Sequence, residues 1–244
     1  MNKYLKGALE VIYPARCVLC GAVLPLKREN TQKNRTCLCP PCASDFPGIP
    51  AEECPHCGGK TETAGFCEFC CKPYAFSAAF ALFPYEKVQK GIHLFKYDGV
   101  RSFGEGFGQL MAEYLLEYHE ELLAETDLLL SVPLHPKKEK RRGFNQTNLL
   151  CQEISKETGL LFSADALTRK RDTVPQSTLT PEERKENLKD VFAVAAEVRG
   201  KRILLVDDIF TTGTTCNECA KVLYRAGAKE VKVFCLAAAG LKTD

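Results

Sequence analysis

Neither a strong charge of one sign nor a long apolar run is present in the 244-residue chain. Lys and Arg number 33 against 31 Asp and Glu, a net charge of +2, so any contact with nucleic acid has to rest on a local patch. The segment Met1–Tyr13 is interrupted by Lys3, Lys6 and Glu10, which excludes a signal peptide or a spanning helix there. The expectation is a cytoplasmic protein without membrane insertion. Hydrophobic residues at 45% and charged residues at 26% lie close to ordinary globular values, so a disordered polar chain is excluded as well. In the Thr/Gly-rich turn Thr211–Thr215 no lysine follows Gly213, which disfavours a P-loop nucleotide hydrolase.

Cysteine is plentiful instead. Fourteen are present, ten of them at or before Cys71, in a stretch rich in Gly and Pro and without a sustained hydrophobic period. Such a stretch cannot build an ordinary apolar core. With no export signal the thiols are expected to be reduced, so disulfides are not the explanation and spacing has to be. Cys17-x2-Cys20 pairs with Cys39-x2-Cys42, and Cys54-x2-Cys57 with Cys67-x2-Cys70; each quartet has the knuckle spacing that presents four thiolates to one tetrahedral zinc. Two structural zinc ions are expected. Zinc–thiolate binding supplies folding free energy on the order of 10 kcal/mol in peptides that cannot fold otherwise, and four thiolates leave no open position for catalysis. Cys37 and Cys71 are spare on this count, and His56 is a candidate substitute ligand whose place inside a CPHC turn more often marks a solvent-facing filler. Cys216 and Cys219 fall on one face of an expected helix and read as packing residues.

From about Ala78 onward apolar strand-like runs alternate with helical segments, the order of an α/β domain with a mainly parallel sheet. The boundary falls near Pro73–Ser77, giving a Cys-rich module over 1–75 and an α/β domain over 76–244. Strands are expected at Ala78–Tyr85, Leu128–Leu134, Ile203–Val206 and Val231–Leu236. One long amphipathic helix is expected through Phe107, Leu110, Met111, Tyr114, Leu115 and Leu122, and others over Asn148–Glu157 and Thr214–Arg225. Thr180-Pro181-Glu182-Glu183 is a capping box opening a further short helix.

The most informative stretch is Ile203–Thr215, in which an apolar strand leads to Asp207 and Asp208 and then to Thr211-Thr212-Gly213-Thr214-Thr215 at a helix start. Backbone N–H groups, threonine hydroxyls and the positive helix end can converge there on one phosphate. The carboxylates suit sugar hydroxyls or a hydrated Mg²⁺. Upstream, Lys137, Lys138, Lys140, Arg141 and Arg142 form a basic loop after Val132–Pro136, followed by Gly143-Phe144-Asn145-Gln146. At the carboxyl end of a parallel strand such a loop suits a diphosphate. A second polar loop, Arg169–Gln176, precedes Arg184 and Asn187 and is suited to close over a leaving group.

The strand, acid pair and small-residue loop resemble the phosphoribosyl diphosphate (PRPP) signature of type I phosphoribosyltransferases. Together with the paired cysteine knuckles, the RGFNQ run at Arg142–Gln146 and the spacing Arg171, Thr173, Gln176, Arg184, Asn187, Phe192, the chain is similar to the competence protein F (ComF) family over nearly its whole length. Arg171–Thr215 is also similar to amidophosphoribosyltransferase, without its amino-terminal nucleophile or glutaminase domain. The ComF resemblance implies a type I phosphoribosyltransferase-like domain behind a double zinc ribbon, with PRPP and Mg²⁺ as ligands and a role in DNA uptake. By that resemblance Asp207 and Asp208 contact the ribose hydroxyls and Thr211–Thr215 wrap the 5′-phosphate; if the protein is an enzyme, Arg171 and Arg141 join them in positioning and in neutralising the leaving diphosphate.

Three functions fit these residues. In the first the protein is an enzyme that displaces diphosphate from ribose C1 with an acceptor the residues do not name, working by positioning and electrostatics. In the second it is a binding module that takes PRPP or a nucleotide as a ligand while the zinc knuckles and the Lys137–Arg142 patch hold single-stranded DNA, with Phe144 stacking on bases, beside DNA-uptake proteins. In the third the PRPP fold is vestigial and the protein is a scaffold.

Overall fold

The computed structural model describes residues 14–25, 36–46, 54, 66–71, 73–97, 101–170 and 191–239. In chain order, short helices α1 (Pro40–Ser44) and α2 (Glu68–Cys71) precede β1 (Ala78–Pro84), α3 (Tyr85–Tyr97), α4 (Arg101–Tyr118), α5 (Glu120–Ala124) and β2 (Leu128–Ser131). There follow α6 (Pro136–Arg142), α7 (Gln146–Thr158), β3 (Phe162–Ser163), β4 (Leu167–Arg169), β5 (Phe192–Val194), β6 (Arg202–Phe210), α8 (Thr214–Arg225) and β7 (Glu230–Ala238).

Five strands form one sheet in the order β1-β7-β6-β2-β3, and every pairing in it is parallel. β4 and β5 form a separate antiparallel pair. Because side chains alternate across a strand, a buried parallel strand must be apolar on both faces. β6 meets this requirement: Leu204 and Val206 join one cluster with Phe95, Phe107, Leu115 and Leu150, while Ile203 and Leu205 join another with Ala220 and Leu223 of α8. Helices α3, α4 and α7 therefore cover one face and α8 the other.

The Cys-rich front docks on the first of these faces. Cys17, Val18, Leu19, Leu24, Leu38 and Phe46 belong to the same buried cluster as Phe95 and Phe107. Contact is close enough to dictate residue type, since a Cβ at Gly91 of α3 would lie 1.8 Å from the Val18 carbonyl oxygen. A glycine is required there. Lys87 of α3 also pairs with Asp45 after α1. The module expected over 1–75 thus shares a core with the α/β part.

Several expectations shift. The helix through Phe107 starts at Arg101 and ends at Tyr118; Leu122 belongs to α5, because His119 leaves helical dihedrals (φ −139°, ψ 41°) and its ring packs on Phe80 and Tyr114. The ordered strand at Leu128 stops at Ser131, whereas the strand at Ile203 runs on through both carboxylates to Phe210. Residues 136–142 form a helix rather than a loop, because Pro136 takes the first position, His135 caps the start by accepting from the Lys137 N–H at 3.2 Å, and Gly143 closes the end. α3 was not expected. The capping box at Thr180–Glu183 lies outside the described residues.

Candidate functional site

The site is built at the carboxyl end of β6, the central strand, where ligands of open parallel sheets bind. Alternation along the strand sends its two consecutive acids to opposite faces. Asp207 turns toward α8, where Oδ2 accepts from the Cys216 thiol at 3.6 Å and Oδ1 from the Asp208 backbone N–H at 2.8 Å. Desolvation, followed by the neighbouring Asp208 charge, pushes the Asp207 carboxyl up to about 7. Asp208 turns toward α3 and makes a 2.6 Å ion pair with Lys96, both side chains being largely buried.

Beyond Phe210 the chain turns through Thr211, Thr212 and Gly213 into α8. Thr211 and Thr212 are exposed, and the Thr212 and Thr214 hydroxyls hydrogen-bond at 2.8 Å. Gly213 has φ +65°, and a Cβ there would fall 2.5 Å from Phe210 Cζ and 2.9 Å from Tyr74 Cζ, so the loop needs glycine on both counts. Its carbonyl accepts the Asn217 N–H at 2.9 Å, starting the helix. Thr211–Thr215 are thus gathered at the amino end of α8, where the helix dipole favours an anion.

The basic run lies on α6 after the carboxyl end of β2. Lys137, Lys140 and Arg141 are exposed, while Lys138 and Arg142 are half-buried. Arg142 is turned inward, donating to Gln146 Oε1 at 2.9 Å. Asn145 caps α7, and its Nδ2 and the Thr147 hydroxyl both donate to the Val132 carbonyl, at 3.3 and 2.7 Å. The RGFNQ run therefore pins the α6–α7 turn to the end of β2. Phe144 is buried and stacked on Phe95 at 5.8 Å, so it is withdrawn from any base. The expectation that it stacks on DNA is corrected. Arg171, with Thr173, Gln176, Arg184 and Asn187, lies outside the described residues.

Among the described residues the thiols gather into two clusters. Cys17, Cys20, Cys39 and Cys42 have their sulfurs within 4.8 Å of one another, as do Cys54, Cys67 and Cys70; Cys57 lies outside the described residues. A tetrahedral zinc with bonds of about 2.3 Å sets sulfur–sulfur edges of roughly 3.8 Å, and Cys20 and Cys39 stand 3.7 Å apart. Burial pushes the Cys17 and Cys42 thiols up, and thiolates packed this closely repel one another unless a cation lies among them. Both clusters suit structural zinc. Cys37 and Cys71 are not in either cluster: Cys37 faces the Gly106 carbonyl at 3.7 Å, and Cys71, pushed up to about 11 by burial, faces the Phe66 carbonyl at 3.9 Å. Cys216 and Cys219 are buried packing residues on α8.

Residues 140–244 match the phosphoribosyl transferase domain family. Over 232 residues, 91% of this chain and 96% of the relative, the chain is 32% identical to DNA utilization protein YhgH of Salmonella typhi. It is 33% identical over 230 residues to competence protein ComFC of Streptococcus pneumoniae, 91% of this chain and 99% of that one. The chain belongs to the ComF family. A solved glutamine PRPP amidotransferase from B. subtilis overlaps 56% of this chain and 26% of its own length at 22% identity and a TM-score of 0.38.

Two residues of this ComF-family site escaped the sequence reading. Lys96 sits on α3, and Tyr74 follows the second cysteine cluster and donates from its phenol to the Thr212 carbonyl at 2.9 Å. Neither carried a sequence signal: the helix that bears Lys96 was not expected, and the partner of Tyr74 lies 138 positions away. No described helix is long and apolar enough to cross a membrane.

Proposed function

We propose that the protein binds PRPP with Mg²⁺ at the carboxyl end of β6 and serves, in the cytoplasm, the DNA-related role for which its relatives are named competence and DNA utilization proteins. The observation that carries this is the assembly of an acid pair on the central strand with a Thr/Gly loop opening α8, inside a phosphoribosyl transferase domain.

In this reading the loop N–H groups and the threonine hydroxyls hold the 5′-phosphate, and Asp207 and Asp208 accept from the ribose hydroxyls. Two hard carboxylates beside a phosphate loop fit a Mg²⁺–diphosphate ligand, which supplies charge neutralisation of the leaving group when bound. Lys96 places a further positive charge beside Asp208, and Arg141 and Arg171 serve the diphosphate. The chemistry such a site supports is displacement of diphosphate from ribose C1 by an acceptor nucleophile, through positioning and electrostatics. Residues 1–75 act as a double zinc ribbon, with Cys57 completing the second quartet, docked on a phosphoribosyltransferase-like domain over 76–244.

Calorimetric titration of the zinc-loaded protein with PRPP and Mg²⁺, beside an Asp207→Asn/Asp208→Asn variant, tests the site. Binding by the native protein is expected, weakened about tenfold or more in the variant through lost charged hydrogen bonds. A folded native protein that binds no PRPP overturns it.

A second reading is favoured by α6, whose exposed Lys137, Lys140 and Arg141 form a compact basic face. Single-stranded DNA is the matching partner, held through its phosphates rather than by stacking.

A further inference from the structure

The loop that takes the phosphate in this reading does not stand alone. Its underside rests on aromatic rings contributed by the flanks of the second cysteine cluster. Phe66, one residue before Cys67, meets Phe210 edge-on at 4.5 Å, and Tyr74 and Phe76, just beyond Cys71, stack at 4.8 Å. Phe76 and Tyr74 each also meet the Phe210 ring edge-on, at 6.2 and 5.9 Å. Backbone bonds lead without a break from thiol to ring: Cys70 and Cys71 N–H donate to the Cys67 carbonyl at 3.0 and 3.1 Å, and Tyr74 N–H to the Cys71 carbonyl at 3.0 Å.

Two bonds then cross to the loop. Tyr74 Oη donates to the Thr212 carbonyl at 2.9 Å, and the Ala75 N–H donates to Asn217 Oδ1 at 2.7 Å. Asn217 lies in the first turn of α8 and its own N–H donates to the Gly213 carbonyl, so both ends of the turn are tied to one short segment. The peptide between Thr212 and Gly213 is planar and trans, with C=O and N–H pointing in opposite directions. Holding the Thr212 carbonyl on Tyr74 therefore aims the Gly213 N–H the other way, out of the aromatic floor. Desolvation raises the Tyr74 phenol above its ordinary value, which keeps the donor proton in place.

We propose, on the basis of the assignment of Thr211–Thr215 to a 5′-phosphate, that Tyr74 is a positioning residue for this loop and that the second cysteine cluster, when metal-loaded, sets through Tyr74 the loop's affinity for a phosphate monoester. The metal touches no substrate in this arrangement. Its effect passes through Cys67–Cys71, the Tyr74 phenol and one peptide plane.

The test uses the full-length zinc-loaded protein and two readouts: hydrogen exchange of the 210–217 segment, and calorimetric affinity for ribose 5-phosphate. Tyr74→Phe keeps the ring and removes the hydroxyl. It is expected to speed exchange of that segment and to weaken ribose 5-phosphate roughly three- to tenfold, the loss that goes with one hydrogen bond, while the melting temperature falls by no more than a few degrees. Cys67→Ala is expected to reproduce the faster exchange, and to add nothing to it in the Tyr74→Phe background; Cys39→Ala, in the other cluster, is expected to leave the local opening of the segment alone, read under conditions where global unfolding does not contribute to exchange. Native exchange and native affinity in Tyr74→Phe overturn the role of Tyr74, and a segment unmoved by Cys67→Ala overturns the link to the metal. Exchange is read without a ligand, so a native protein that binds no ribose 5-phosphate defeats the phosphate assignment, and with it the affinity claim, even where exchange shows the tie between Tyr74 and the loop.

Discussion

At the scale of single residues, the acid pair shows how one strand gives neighbours different chemistry. Asp208 has a cation at 2.6 Å, whereas Asp207 faces a thiol and the backbone N–H of Asp208. Desolvation lifts Asp207 up to about 7 from an ordinary 3.8. Between those values the folded protein holds a proton that the unfolded chain has released, so stability falls as pH rises toward 7. Asp207→Asn removes this dependence. Thermal melts of the ligand-free protein are expected to show the variant level with the native chain near pH 4 and a few degrees more stable above about pH 7. A difference that stays flat with pH would mean that the carboxyl is not desolvated. The strand, the acids and the small-residue loop were legible because they are contiguous; that the two acids face opposite helices follows only once residues 207–210 are seen to continue the strand.

At the scale of elements, α6 is the clearest departure from expectation. A run of lysines and arginines between Gly and Pro reads as a solvated loop, yet Pro136, the His135 cap and Gly143 supply a helix start and stop. The helix divides its cations: Arg142 is spent on Gln146, while Lys137, Lys140 and Arg141 remain outside. Replacing these three by Gln is expected to weaken single-stranded DNA binding about equally for all sequences. The salt dependence, plotted as log K against log salt, should become shallower by about two, since each phosphate contact contributes about 0.7 for a single strand. An unchanged slope in a filter-binding or fluorescence titration removes α6 from any DNA contact. α3 was missed because only four of its described positions, Val88, Gly91, Ile92 and Phe95, are fully buried, and Gly91, unfavourable in a helix taken alone, is there to admit Val18.

For the molecule as a whole, the question is whether the Cys-rich front is an appendage or part of the core. Val18, Leu19, Leu38 and Phe46 are buried in the same cluster as Phe95, Phe107 and Leu115, which argues for a single cooperative unit. Chelation is therefore expected to release about two zinc ions per chain and to lower the stability of the α/β part by several kcal/mol, because metal binding and folding are linked. Far-ultraviolet and aromatic signals should melt together in the loaded protein. An α/β part that melts at its original temperature after chelation would show that the front contributes nothing to it.

Spacing along the chain determined the cysteine quartets, the alternation of strands and helices, and the acid pair with its loop, since each of these is a local pattern whose chemistry depends on residues a few positions apart. Only the tertiary structure decided why α3 carries a glycine, which cation meets Asp208 and what holds the loop from below. Those answers join segments far apart in the chain, as Tyr74 and Thr212 are at 138 positions, and no periodicity encodes such a pairing. It arises when two faces of the sheet are covered at once and the few polar groups left at the joints must find partners.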